Sequence, residues 1–201
     1  VGVYDLAAKS LKWIAPSVDR DSSPIWSPDS KRLAFLREPT VSKPFMFAPV
    51  RETTPFEILT ADVTSTEVSA KSIFRATAGP GSAFWNIVAD TQIFWGDGDQ
   101  IIFPWEKSGW VNLYSIPVAG GAEPKPLTPG EFEVEYVLLS RDRKSLYFNS
   151  NRGDPHRRHL FRVPVAGGEV TQLTSGNSIE WSPTELSDSK TLTFLRSDAK
   201  R

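Results

Sequence analysis

The chain has 201 residues, with 23 Lys plus Arg against 24 Asp plus Glu and a net charge of −1, which argues against a nucleic-acid or anionic-membrane surface as its main partner. Apolar residues make up 39% and charged residues 23%, a globular composition with length enough for a sizeable core. The absence of cysteine and the presence of only two histidines, His156 and His159, exclude disulfides, thiol nucleophiles and thiolate metal sites and leave acid–base chemistry thinly staffed, so the composition points to a scaffold.

No stretch approaches the roughly 20 apolar residues of a membrane span, and the N-terminus lacks a basic-then-apolar leader. A soluble segment with no membrane span is expected. It opens on Val1 rather than methionine, and is read as a processed or excised part of something longer.

In chain order, Val3-Tyr4-Asp5-Leu6 and Leu11-Lys12-Trp13-Ile14 read as two short strands. Next comes Pro24-Ile25-Trp26-Ser27-Pro28-Asp29-Ser30-Lys31-Arg32-Leu33-Ala34-Phe35, an alternating run, a polar turn and a second alternating run. Pro28 presets φ for the turn and Asp29 can bond its own backbone. The clusters Glu38 to Pro44 and Ala78 to Ser82 read as long surface loops. Between them Phe56 to Val63 supplies a further strand. The turn-then-strand grammar returns at Asp97 to Phe103, at Arg141 to Phe148 and at Ser189 to Phe194. The four terminal aromatics Phe35, Phe103, Phe148 and Phe194 stand 68, 45 and 46 residues apart, each with an apolar residue two positions earlier (Leu33, Ile101, Leu146, Leu192).

A second element follows the two middle runs. Leu113-Tyr114-Ser115-Ile116-Pro117-Val118-Ala119-Gly120-Gly121 is echoed 47 residues later by Leu160-Phe161-Arg162-Val163-Pro164-Val165-Ala166-Gly167-Gly168. Each is followed by a short strand ending at Leu127-Thr128 or Leu173-Thr174. The Ala-Gly-Gly turns read as hairpins, and Pro117 and Pro164 belong near an edge or bulge where no donor is needed. A unit of about 46 residues with four short strands is a propeller blade. The expected fold is all-β: a β-propeller segment of about four blades of four-stranded antiparallel sheets, belonging to a larger seven- or eight-bladed ring. Residues 1–20 give the outer strands of one blade, 21–77, 84–130 and 131–175 one blade each, and 176–201 the inner strands of another. An open arc is favoured over pairing of the two ends into a closed four-bladed ring. The exposed edges of an arc favour homo-oligomerisation.

The phrase Trp26 to Phe35 resembles the blade motif of TolB-type propellers and of prolyl oligopeptidase N-terminal domains. The stretch from Trp95-Gly96-Asp97-Gly98 through Glu106 to Tyr114, Leu127 to Val134, Leu146-Tyr147-Phe148 and Arg158 to Val163 resembles the later propeller blades of the dipeptidyl peptidase IV group of that serine peptidase family. The resemblance implies an eight-bladed propeller preceding an α/β-hydrolase domain, a parent hydrolase that removes N-terminal dipeptides, and a periplasmic or secreted setting. This segment has no Gly-x-Ser-x-Gly elbow, the nearest approach being Gly79 to Phe84, and it has no adjacent Glu-Glu of the kind that holds a substrate amino terminus in that family. The expected function is therefore a non-catalytic, substrate-gating propeller that meets peptide substrate through the parent hydrolase domain. The alternative is a stand-alone TolB-like module that binds a protein or peptide.

No catalytic residue, metal site or cofactor is assigned. Arg157-Arg158 between His156 and His159 reads as a solvated loop, since two histidines three apart point to different faces and only Asp154 is near. Asp97-Gly98-Asp99 resembles a calcium loop but reads better as a hairpin turn. Arg152-Gly153-Asp154 matches an integrin-type tripeptide and carries little weight. Trp26 and Trp181, each before Ser-Pro, read as matching packing positions. Trp85, Trp105 and Trp110 break the repeat and either line a peptide-binding channel or cap the longer loops. Glu131, Glu133 and Glu135 are read as alternating on one strand face, able to attract a cationic amino terminus or to serve as a solvated surface.

Overall fold

A computed structural model describes residues 1–40, 55–65 and 68–198, and these residues are almost entirely short antiparallel strands. The first two, β1 (Gly2–Asp5) and β2 (Ser10–Trp13), pair only with each other. A four-stranded sheet follows in the order β3 (Arg20–Trp26), β4 (Arg32–Glu38), β5 (Glu57–Asp62), β6 (Ala70–Arg75). The next holds β7 (Phe94–Gly96), β8 (Gln100–Trp105), β9 (Asn112–Pro117) and β10 (Lys125–Pro126). A third holds β11 (Val134–Leu139), β12 (Ser145–Ser150), β13 (His159–Pro164) and β14 (Thr171–Gln172). The last sheet has two strands, β15 (Ile179–Glu185) and β16 (Leu192–Ser197). Every pairing between named strands is sequential and antiparallel, as in a stack of propeller blades. The strands at the two ends of the described chain do not pair with each other. The loop residues 41–44 lie outside the described residues.

The alternation read in the sequence explains how the sheets stack. On β4, Phe35 faces one way into a cluster with Ile14, Leu59 and Ala61, while its neighbours Ala34 and Leu36 face the other way into a cluster with Ile58, Ile101, Phe103 and Ile116. Strand β8 repeats the pattern: Ile101 and Phe103 look back to the preceding sheet, and Ile102 looks forward into a cluster with Leu146, Phe148, Phe161 and Val163. Strands buried on both faces cannot afford a polar side, which is why Leu33 to Leu36 and Ile101 to Trp105 are continuous buried runs. Aromatic edges fill the first of these seams, with Phe56, Phe74, Phe103, Trp105 and Tyr114 at centroid spacings of 5.0–6.3 Å.

The β3–β4 and β11–β12 turns share one hydrogen-bond design. Ser27 Oγ donates to Asp29 Oδ1 at 2.5 Å and accepts from Arg32 N at 2.9 Å. Ser140 Oγ does the same with Asp142 at 2.6 Å and Ser145 N at 2.9 Å. Ser30 and Arg143 in these turns take the left-handed region at φ 58° and 61°, as does Ser189 at 53° before β16, where Asp188 Oδ1 instead accepts from Lys190 N and Thr191 N. Strand registers place Trp26 opposite Leu33, Leu139 opposite Leu146 and Glu185 opposite Leu192. Trp26 therefore corresponds to Leu139 and Glu185, not to Trp181. The Ser182-Pro183 pair matches Ser23-Pro24, since both serines have positive φ and both pairs sit at a bulge in an innermost strand.

Outer strands are clasped to the next sheet by lysine. Lys12 Nζ reaches Val63 O at 3.2 Å and Ser65 O at 2.8 Å. Lys71 Nζ reaches Ala119 O at 2.6 Å, and Lys125 Nζ reaches Ala166 O at 3.0 Å. All three lysines sit on the fourth-strand position and satisfy a carbonyl in the turn after the next sheet's third strand. The close stacking also explains Gly96, where an added Cβ would meet Val165 Cγ1 at 2.6 Å and Ile102 Cδ1 at 2.7 Å.

The four equivalent aromatics differ in burial: Phe35, Phe103 and Phe148 are 0% exposed and Phe194 is 39% exposed. The sequence expectation of four like environments holds for three, because β16 is at the edge of the described stack and packs less on its neighbour. Phe103→Ala is expected to cost about 4 kcal/mol, whereas Phe194→Ala is expected to cost less than about 1 kcal/mol. The two urea unfolding midpoints check this contrast, and equal shifts would contradict the stacking order.

Candidate functional site

Where the innermost strands begin, the two middle sheets are joined by a crossing segment. Val88 forms a parallel bridge with Tyr136: Val88 N donates to Glu135 O at 2.8 Å, and Val137 N donates to Val88 O at 3.1 Å. Trp85, three residues before this bridge, is 40% exposed. The acidic residues here do not share a strand face. Glu131 is exposed and Glu133 half-buried, both before β11 begins at Val134, and only Glu135 lies on the strand. The expectation of alternation fails because the chain bends at residues 131 and 132, where Phe132 turns inward to 4% exposure.

Glu133 is pinned at both ends. Its Oε2 accepts from Val111 N at 3.1 Å, and its own N–H donates to Asn151 Oδ1 at 2.7 Å. Burial, with Glu106 and Glu135 nearby, pushes its carboxyl above the usual range despite the Val111 hydrogen bond. Glu135 is paired with Arg158, Nε to Oε1 at 2.6 Å, and with Asn149 Nδ2 at 3.4 Å. A second cation entering here, such as a protonated amine, would relieve the repulsion between Glu133 and its acidic neighbours.

The tryptophans divide. Trp105 is 5% exposed in the core, its Nε1 donating to Gly81 O at 2.6 Å and its ring tilted against Phe74 and Tyr114. It packs a seam and closes the loop at Gly81 rather than lining an open channel. Trp110 is half-buried one residue before Val111, and Trp85 is the more open of the three. Glu133 and Glu135 thus lie near one another, and Trp110 adjoins in sequence the Val111 that bonds Glu133.

A second polar centre was not legible from the loop around the histidines. His159 opens β13 and is 6% exposed, its Nδ1 lying 2.7 Å from Glu180 Oε2. Glu180 is 1% exposed, accepts from Thr174 Oγ1 at 3.1 Å, and is hydrogen-bonded by Ser178 Oγ. Asn149 Nδ2 donates to Glu180 O at 3.2 Å, and Glu180 N donates to Arg158 O at 2.8 Å. The solvated-loop reading thus holds for His156, which is exposed, and fails for Arg158 and His159. Their partners Glu135 and Glu180 lie more than 20 residues away. Asp97, Gly98 and Asp99 form the turn between β7 and β8, and Asp99 accepts from Arg32 and from Trp95 Nε1. Among the described residues no group of three or more His, Cys, Asp or Glu is arranged to hold a metal ion, and no helix is long and apolar enough to cross a membrane.

The sequentially stacked, four-stranded antiparallel sheets define the chain as a segment of a β-propeller. Residues 48–198 match the dipeptidyl peptidase IV (DPP IV) N-terminal region, and the chain belongs to that family. A Trichophyton equinum dipeptidyl peptidase 4 is 35% identical over 71 residues, covering 35% of this chain and 9% of the relative. An Aspergillus flavus protein named "Probable dipeptidyl peptidase 4" is 41% identical over 69 residues, 34% of this chain and again 9% of the relative. The matched stretch is thus a small part of each relative's length. A solved Bacteroides ovatus structure superimposes on 98% of this chain and 29% of its own, with TM-score 0.69 and 17% identity. Porphyromonas gingivalis dipeptidyl peptidase 4 covers 91% of this chain and 24% of its own, with TM-score 0.65 and 15% identity. These matches favour the propeller region of a dipeptidyl peptidase over a stand-alone binding module.

Burial works to raise the Glu180 carboxyl, but the hydrogen bonds from Ser178, His159 and Thr174 prevail and hold it below the usual 4.5. A lowered carboxyl stabilises the fold above its unfolded value and loses that contribution as pH falls through its folded value. Acid is therefore expected to release β15–β16 from β11–β14 only below about pH 4.5. Removing the carboxylate in Glu180→Ala leaves His159 and Ser178 unpaired and is expected to cost about 3 kcal/mol at neutral pH. Hydrogen exchange of the β15 amides across the acid range checks both, and β15 protection unchanged by the substitution would count against them.

Proposed function

We propose that this chain is the access-restricting propeller portion of a serine-type dipeptidyl peptidase and takes no covalent part in catalysis. The observation that carries the reading is the family match over residues 48–198. A rigid stack of sheets limits entry to short or unfolded peptides, and the bond-breaking groups belong to a hydrolase domain elsewhere in the parent protein. In this reading Glu133 and Glu135 attract the substrate's protonated amino terminus, and Trp85 and Trp110 give its first side chains an apolar wall. The raised Glu133 carboxyl supports the assignment, because a group that disfavours its own charge gains most from an incoming cation.

Two measurements test the proposal. The purified chain is expected to release no p-nitroaniline from Gly-Pro-p-nitroanilide, while the intact polypeptide does and carries a Gly-x-Ser-x-Gly elbow followed by Asp and His. In that intact enzyme Glu133→Gln is expected to raise KM about fivefold for substrates with a free amino terminus, with kcat unchanged. Hydrolysis by the chain alone would overturn the non-catalytic reading, and an unchanged KM would remove Glu133 from substrate capture.

A further inference from the structure

The opposite ends of the innermost strands hold a second recess. It has a volume of about 450 Å³ and is walled by Pro24, Ile25 and Trp26 at the end of β3, by Thr91, Ile93, Phe94 and Trp95 at and before β7, and by Leu139, Ser140, Arg141 and Arg143 after β11. Three consecutive sheets contribute to it, so it is a product of the stacking and not of one loop. Its base is apolar: Ile25, Ile93 and Phe94 are 9%, 0% and 7% exposed. The indole of Trp26, by contrast, is 45% exposed at its rim.

The two arginines are unusual for their places in the repeat. The turn motif Ser27-Pro28-Asp29 becomes Ser140-Arg141-Asp142 here, with the same serine-to-aspartate hydrogen bond. The left-handed position filled by Ser30 and Ser189 in the sheets on either end is filled here by Arg143 at φ 61°. A long side chain gains nothing from that conformation and carries its usual penalty. Arg143 Nη1 donates to Trp95 O at 3.2 Å, which turns its guanidinium toward the recess. Arg141 uses its backbone N–H on Glu185 Oε2 at 2.6 Å and is otherwise exposed. Among the described residues neither guanidinium is paired with a carboxylate, although Arg32, Arg37 and Arg158 are. The nearby Asp142 is committed to Ser140 and Lys144 N, and Asp99 to Arg32 and Trp95.

We propose that this recess binds an organic carboxylate carried on an aromatic or branched apolar group, with Arg141 and Arg143 holding the carboxylate and Trp26 covering the apolar part. The guanidinium fork matches a carboxylate, and an indole beside it favours a flat or branched hydrocarbon. A peptide ending in an apolar residue and a free aromatic acid share this chemistry. The site lies at the far strand ends from Glu133 and Glu135 and owes nothing to the function proposed for them.

Isothermal titration of the chain with N-acetyl-Gly-Phe, its C-terminal amide and phenylacetate tests the inference. The free-acid peptide is expected to bind at least about tenfold more tightly than the amide, since a charged hydrogen-bonded pair is lost. Arg141→Gln is expected to weaken the acid about tenfold and leave the thermal midpoint unchanged, because its side chain is exposed and forms no ion pair among the described residues. Trp26→Ala is expected to weaken acid and amide alike, and Arg157→Gln at the other strand ends to weaken neither. Tighter binding of the peptide than of phenylacetate identifies a peptide terminus as the occupant, and the reverse identifies a free acid. Equal binding of acid and amide, no effect of Arg141→Gln, or no heat with any probe at millimolar concentration would overturn the site.

Discussion

The fold depends on covering both faces of every middle strand. A sheet whose second strand reads Leu33-Ala34-Phe35-Leu36 has no face that water can accept, so each such sheet demands a neighbour on either side. Phe35 and Leu36 are 0% and 1% exposed yet belong to different clusters. The same demand, repeated at β8 and β12, turns a chain of hairpins into a stack. Twist between sheets then brings the first strands together on one side, where the cover ends and polar chemistry becomes affordable.

The seams are not alike. Three are apolar clusters, and that between β11–β14 and β15–β16 is closed by His159, Glu180, Ser178, Thr174 and Asn149. An apolar seam tolerates small slips, because dispersion contacts are non-directional. A buried carboxylate with three hydrogen-bond partners admits one register only, and losing any partner leaves a charge in a dry place. The polar seam thus contributes alignment more than adhesion. Its neighbour Glu135 is tied to the same network through Arg158, whose carbonyl accepts from Glu180 N. The position of the acidic site is therefore set from the last sheet as well as from its own.

The repeat was legible because turn chemistry recurs in the sequence: an aspartate followed at once by a left-handed residue ahead of β4, β12 and β16. The third strand at Phe56 to Val63 and the two Ala-Gly-Gly hairpins followed from the same reasoning, and β5, β9 and β13 occupy those places. The Trp-Ser-Pro pairs misled because one marks a turn and the other a bulge, and two-residue identity cannot separate these. The ion pairs were illegible for a different reason. His159–Glu180 joins two sheets, while Arg158–Glu135 spans from the third strand to the first within one sheet, and strand alternation does not fix which carboxylate faces a given base in either case. Glu133 was legible as a residue but not as a geometry, since the bend at Phe132 breaks the strand face that alternation assumed.

A net charge of −1 conceals a polarity along the inner strands. Their beginnings hold Glu106 and Glu133 close enough to raise the latter's carboxyl, while Arg158 neutralises Glu135. Their ends hold Arg141 and Arg143 without carboxylate partners among the described residues. A six-residue strand such as β11 spans roughly 20 Å, more than two Debye lengths at physiological salt. The charges at the two ends are therefore screened from one another and do not cancel in solution. The charge contrast sits on a handful of side chains at strand termini, on a scaffold whose interior, the His159–Glu180 seam apart, is committed to packing.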